Sequence, residues 1–178
     1  AIFFAKNVSE RHLEVPIGTG SLLNLVLQWR ALHKGGSTEV VAIDLTEKMV
    51  ESAGQLFSRH GNVKVLQGDV GRLGFASESF SSVNIANGMH CFPEPYKALN
   101  ELHRVLTPGG RLAMNVLLPP SGNRFFRKIA NSINVWAQKK GLLIRPYSVR
   151  EILLQLESAN FEVLDKSIQG NSQNAQSL

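Results

Sequence analysis

The sequence predicts an α/β domain: a doubly wound, mostly parallel sheet with helices on both faces. Two observations carry the prediction. Strand-like and helix-like stretches alternate along almost the whole chain, the pattern of a parallel sheet built from strand–helix–strand units. The stretch EVVAID at 39–44 is a short apolar run, which suits a strand buried on both faces. A third observation says where a ligand belongs. Gly18-Thr19-Gly20 follows the first strand candidate, and ligands of such sheets lie beyond the carboxyl ends of the strands, where strand order reverses.

Residues 11–15, RHLEV, read as the first strand. Residues 21–33 read as a helix with Leu22, Leu25, Val26, Trp29 and Leu32 on one face, ended by Gly35 and Gly36. Residues 39–44, EVVAID, form the second strand. Thr46 is placed to cap the next helix, in which Met49, Ala53, Leu56 and Phe57 line up. Residues 62–67 alternate like a strand, and 80–87, FSSVNIAN, are a fourth. The helix expected over 93–106 has proline in its first turn and Pro95, Leu99, Leu102 and Leu106 at helical spacing. TPGG at 107–110 reads as a turn and 111–118 as a fifth strand. After a longer segment, 119–147, Ser148 opens a capping box: its hydroxyl accepts the Glu151 N–H while the Glu151 carboxylate reaches back. Val149, Ile152, Leu153 and Leu156 give that helix its apolar face, and 161–168 read as a sixth strand. One domain is expected over 1–170, followed by a polar, frayed tail at 171–178.

A chain of 178 residues is enough for one substantial core. Hydrophobic residues make 43% and charged residues 19% of it, which excludes a disordered polymer. The single cysteine, Cys91, cannot form an internal disulfide, and no Cys/His spacing suggests zinc or another metal. No apolar run approaches the roughly 18 residues that a membrane span needs. These features fit a reducing, cytoplasmic setting. The net charge is +5, yet between Leu102 and Arg150 there are nine Lys/Arg and no Asp/Glu. That block is either a face for an anionic partner or a solvated basic surface.

The glycine turn narrows the ligand. A dinucleotide turn wants Gly-x-Gly-x-x-Gly, and Leu23 stands at the third glycine position. The phosphate loop fails as well, because no Lys-Ser/Thr follows. What remains is Glu14 at a strand end, followed by Gly18, Thr19 and Gly20, whose backbone N–H groups approach a ligand. An acid beside free N–H groups suits a molecule with an ammonium and a carboxylate, and S-adenosylmethionine has both. Asp44 ends the second strand, where a carboxylate can accept both hydroxyls of a ribose. Asp69 follows the third, where one can accept the adenine amino group. Each acid alone reads as a helix cap or loop acid; three at successive strand ends read as a ligand site.

The sequence resembles the class I S-adenosylmethionine-dependent methyltransferases, and among them the small-molecule branch that includes the ubiquinone and menaquinone biosynthesis enzymes. The resemblance rests on HLEVPIGTG, VVAIDLTEKMV, VKVLQGDVGRLGFASESF, VNIANGMHCFPEP, ELHRVLTPGGRLAMNV and YSVREILLQLESANFEVL, in that order along almost the whole chain. It implies a Rossmann-like methyltransferase fold, S-adenosyl-L-methionine as cofactor, and methyl transfer to a small molecule. It further implies that Glu14, Gly18, Thr19 and Gly20 hold the methionine part. Asp44 would bind the ribose with Leu45 and Met49 against the adenine, Asp69 and Val70 would read the adenine edge, and Ala86 and Asn87 would lie near the amino group or sulfonium. Pro16 stands where the family usually has Gly or Ala, and Ser81 where it commonly has Asp.

Methyl transfer from a sulfonium is an in-line displacement with an activated donor. Positioning alone can supply roughly 7–11 kcal/mol, and a base is needed only if the acceptor must lose a proton. His90 and Tyr147 are the candidates for such a role; His12, His33, His60 and His103 show no partner in the sequence and receive none. Within 119–147, Phe125, Ile129, Ile133 and Trp136 fall at helical spacing with Arg124, Arg127, Lys128, Lys139 and Lys140 around them. In similar enzymes an insertion here caps the site. A basic amphipathic cap suits an apolar or aromatic, anionic acceptor, a membrane surface contacted peripherally, or plain packing. Nucleic acid is not favoured as partner, because the Asn/Asp-Pro-Pro-aromatic motif of base methyltransferases is replaced by NGMHCF. A non-catalytic cofactor-binding module or truncated domain is the alternative function; an RNA methyltransferase and an NAD-dependent oxidoreductase rank behind it. The family usually ends with an antiparallel seventh strand, and NSQNAQSL is a poor strand, so that strand is expected to be missing or to follow.

Overall fold

The computed structural model describes residues 1–33, 35–118, 132, 135, 146–169 and 175–177. Their strands form one seven-stranded sheet in the order β3-β2-β1-β4-β5-β7-β6. β1 (Arg11–Glu14), β2 (Glu39–Asp44), β3 (Val63–Gln67), β4 (Phe80–Ile85) and β5 (Leu106–Leu117) run parallel. From β1 the chain builds outward through β2 to β3, then returns to lay β4 and β5 on the other side. The order therefore reverses between β1 and β4, and the crevice beyond their carboxyl ends is where the glycine turn begins.

Period-two alternation divides the core between the two faces. Val40 and Ala42 of β2 pack with Leu23 of α2 (Ser21–Leu32) and with Ala53 and Phe57 of α3 (Glu47–Phe57). Ile43 faces the other way, into a cluster with Val83 and Ile85 of β4, Leu99 and Leu102 of α4 (Pro95–Val105), and Ile152 and Leu156 of α5 (Val149–Ser158). A short helix that the sequence reading did not anticipate, α1 (Ile2–Asn7), buries Phe4 and Ala5 against Val26 of α2 and Ala113 of β5.

Several expectations are corrected. Because α2 is held between the sheet and α1, its buried stripe is turned: Leu23 and Val26 are buried, whereas Leu25 and Leu32 are 54% and 82% exposed. Thr46 occupies the N-cap of α3, but its side chain makes no cap bond; the Asp44 Oδ1 instead accepts the Thr46 N–H at 3.0 Å. TPGG is not a turn ahead of β5 but an irregularity within it. Phe80 pairs with Leu106 and Ser82 with Arg111, so the intervening residues of β5 loop outward, with Gly109 at φ 74. The sixth strand, β6, is only Ser167–Gln169, because Val163 and Leu164 of the apolar run are exposed instead of packed. The seventh strand is present. β7 (Ala175–Ser177) lies antiparallel between β5 and β6; ladder hydrogen bonds come from the main chain, so a polar sequence can supply them. The capping box keeps its first half, with the Glu151 N–H donated to the Ser148 Oγ at 3.2 Å. The proposed cap residues Arg124, Phe125, Arg127, Lys128, Ile129, Ile133, Trp136, Lys139 and Lys140 lie outside the described residues.

Candidate functional site

The site is built where β1, β2 and β4 end. β1 delivers Glu14, which is 2% exposed. Its Oε2 accepts from Asn84 Nδ2 at 3.1 Å and lies 3.2 Å from His12 Nε2, while its Oε1 has no hydrogen bond among the described residues. The chain then turns through a cis Val15–Pro16 bond. Val15 N–H donates to Asn84 O at 3.0 Å and Ile17 N–H to Ile43 O at 2.8 Å, so the turn is tied to the strands on both sides. Gly18 and Gly20 take φ of 55° and 81°, conformations that cost a side chain strain. A Cβ on Gly20 would come within 2.8 Å of the Phe57 ring, whereas one on Gly18 would meet nothing within 4 Å, so Gly18 faces open space. α2 starts directly after Gly20, with no side-chain cap and no acid in its first turn. The free N–H groups of that turn and its positive dipole end are suited to a carboxylate.

Asp44, 7% exposed, is joined to this turn. Its Oδ2 accepts the Gly18 N–H at 2.9 Å and its Oδ1 the Thr46 N–H. Each carboxylate oxygen retains acceptor capacity beyond one N–H, so the bonds fix the group without filling it. Leu45 beside it is 61% exposed, Met49 is half-buried, and Val70 is buried. Asp69 is exposed, and its Oδ1 accepts the Gly71 N–H at 2.8 Å, which closes the turn after β3.

β4 brings the opposite wall. Ala86 is half-buried and Asn87 exposed at φ 54. Asn87 N–H donates to Asn115 Oδ1 of β5 at 2.7 Å, and Asn115 Nδ2 donates back to Asn87 Oδ1. Gly88 follows, and a Cβ there would lie 2.0 Å from Pro16 Cδ. The unusual proline of the first turn is thus accommodated by a glycine on β4's connection. The 3₁₀ turn Met89–Cys91 comes next. Burial holds the His90 imidazole below its ordinary pKa, and its Nδ1 is buried without a partner among the described residues. The Cys91 thiol is pushed up by burial and then by the Asp44 charge, which sets this turn within electrostatic reach of Asp44. Tyr147, the other base candidate, is 1% exposed within the central cluster, and its N–H donates to Leu117 O at 2.9 Å. A groove of about 1060 Å³ lies elsewhere, along the outer edge of β5.

The sequence reading missed His12, Ser82, Asn84, Gly88 and Asn115. For the first three a signal existed: polar residues at alternate positions of strands in a sheet expected to carry helices on both faces.

The residues present fit S-adenosylmethionine on the structure's own terms. A half-free buried carboxylate suits the ammonium, an uncapped helix start suits the carboxylate, and the glycine cradle is open. A parallel sheet in this order, with Glu14 and Asp44 at the ends of β1 and β2 beside a glycine turn, is the arrangement of a class I S-adenosylmethionine-dependent methyltransferase domain. The chain belongs to the family described as "Methyltransferase domain", which matches residues 13–114. It is similar to a demethylmenaquinone methyltransferase of Thermus thermophilus, 38% identical over 65% of this chain and 51% of that protein. The chain spans about half the length of the first curated relatives it matches. Among solved structures, an S-adenosylmethionine-dependent methyltransferase of Aquifex aeolicus aligns with a TM-score of 0.69 at 24% identity, over 96% of this chain and 82% of that one. The [4+2]-cyclase SpnF shares the fold too, with a TM-score of 0.70 at 21% identity, over 91% of this chain and 55% of that one. Among the described residues no helix is long and apolar enough to cross a membrane, and no group of His, Cys, Asp and Glu is placed to hold a metal ion.

Proposed function

We propose that the protein is an S-adenosylmethionine-dependent methyltransferase acting on a small acceptor. The observation that carries this is the glycine turn fixed between Glu14 and Asp44, with one oxygen of Glu14 left free. Glu14, Gly18, Thr19 and Gly20 hold the amino-acid part of the cofactor. Asp44 holds the ribose, Leu45, Met49, Asp69 and Val70 border the adenine, and Ala86 and Asn87 lie near the sulfonium. When bound, the cofactor would supply an activated methyl group for in-line transfer, the acceptor–carbon bond forming as the sulfur–carbon bond breaks. The chain's contribution is to align the two reactants and exclude water, which is where most of the acceleration arises. His90, whose pKa burial lowers, is the candidate to orient the acceptor or take its proton.

Relatives named for demethylmenaquinone make an apolar, aromatic quinone-type ring the first acceptor class to test. The segment 119–147 of the same domain is proposed as the cap over that acceptor. The deciding experiment is calorimetry with S-adenosylmethionine, S-adenosylhomocysteine and NAD, followed by a methyl-release assay with a demethylated quinone. Binding of the first two ligands alone, with release, is expected. Tight NAD binding with none for the sulfonium would overturn the cofactor assignment. Cofactor binding without release from any quinone would overturn the acceptor.

A further inference from the structure

Behind Glu14 lies a set of buried polar side chains that cofactor binding does not by itself require. β1 and β4 are parallel neighbours in which His12 stands opposite Ser82 and Glu14 opposite Asn84. Period two puts all four on one face of the sheet. His12, Ser82 and Asn84 are each 0% exposed. Ser9 N–H donates to Ser82 Oγ at 3.0 Å, and Ser82 Oγ lies 2.8 Å from His12 Nδ1. On its other side the ring presents Nε2 to Glu14 Oε2 at 3.2 Å, and because a carboxylate only accepts, the N–H of this bond is the one on Nε2. Asn84 Nδ2 donates to the same oxygen at 3.1 Å, and Asn7 Nδ2 fixes the Asn84 amide by donating to its Oδ1 at 3.0 Å. An apolar set would fill the same space without burying polar groups, a replacement that is often neutral or stabilising. The set is therefore better explained by what it does to Glu14.

We propose that His12, Ser82 and Asn84 are positioning residues that clamp one oxygen of Glu14 and present the other to the cofactor's ammonium group. The inference rests on the cofactor assignment above, and the two fail separately. The test compares S-adenosylhomocysteine with 5′-methylthioadenosine, which shares the adenosine and thioether but lacks the amino acid. Calorimetry on wild type and His12→Leu should show about a tenfold loss for the first ligand, the scale of one hydrogen bond to a charged group, and unchanged affinity for the second. His12→Gln, which keeps an N–H donor, should recover most of the loss. Equal losses for both ligands, or no loss for either, overturn the positioning role. A wild type that binds neither overturns the cofactor assignment beneath it. If His12→Leu does not fold, Ser82→Ala, which removes the bond that holds His12 Nδ1, reads the same comparison with the same two outcomes.

Discussion

Asp44 carries two loads. The sequence suggests a ribose ligand or a cap, and the geometry shows a carboxylate already accepting two backbone N–H groups. Asp44→Ala should therefore weaken cofactor binding about tenfold to a hundredfold, and also lower ligand-free stability by about 1–3 kcal/mol, since it strands both donors. Calorimetry and denaturant unfolding measure the two effects separately; full affinity with a large loss of stability would leave Asp44 a cap alone. Pro16 and Gly88 make a second residue-scale prediction. Gly88→Ala should cost about 1–3 kcal/mol by overpacking against the proline ring. In Pro16→Gly it should cost much less, because the backbone at Gly88, φ −111 and ψ −34, accepts alanine. A double-mutant cycle without coupling would refute the contact. His90 supplies the pH dependence. Its folded pKa lies below the unfolded value of about 6.5. Between those two values the unfolded chain binds more protons, so stability rises with pH through that window. The contribution is complete above the unfolded pKa and is lost as pH falls toward the folded one. Unfolding curves of His90→Gln should lack this acid-side loss, which wild type should show.

At the scale of elements, the strands and helices that surround the site were legible, because each joins a clear period to a clear stop. Residues 39–44 were read without error, since an apolar run between polar ends admits one strand. The orientation of α2 was not legible: periodicity shows that a helix has an apolar stripe, but here α1 shares the burial and turns it. β7 escaped notice because its pairing is made by main-chain groups, which leave no mark on side-chain pattern. Capping was legible at Ser148, where the motif is local, and misread at Thr46, where the partner is an acid two residues back. Ser148→Ala should lower stability by about 1 kcal/mol in thermal melts, with cofactor affinity unchanged. For the segment proposed as a cap, Trp136→Ala should reduce turnover while cofactor affinity holds; a fall in affinity of the same size would place Trp136 elsewhere.

For the whole molecule, the sequence displayed the acids proposed to meet a ligand better than the residues that hold one of them, Glu14, in place. Glu14 and Asp44 could be found because they end strands, and Asp69 because it follows one closely. His12, Ser82 and Asn84 belong to a layer behind them, and only the register of β1 against β4 brings these together. The likeness to both a methyltransferase and a cyclase shows why the fold alone does not decide the reaction. The bond from Gly18 N–H to Asp44 has a further consequence. It joins the first turn to the second strand's end, and Ile17 N–H to Ile43 O fastens the same turn again. A cradle held at both sides before anything enters it has little left to arrange when a ligand arrives. In stopped-flow mixing, the observed association rate should climb in proportion to cofactor concentration, as a single exponential. A rate that levels off would mean that a slow internal step still stands between encounter and capture.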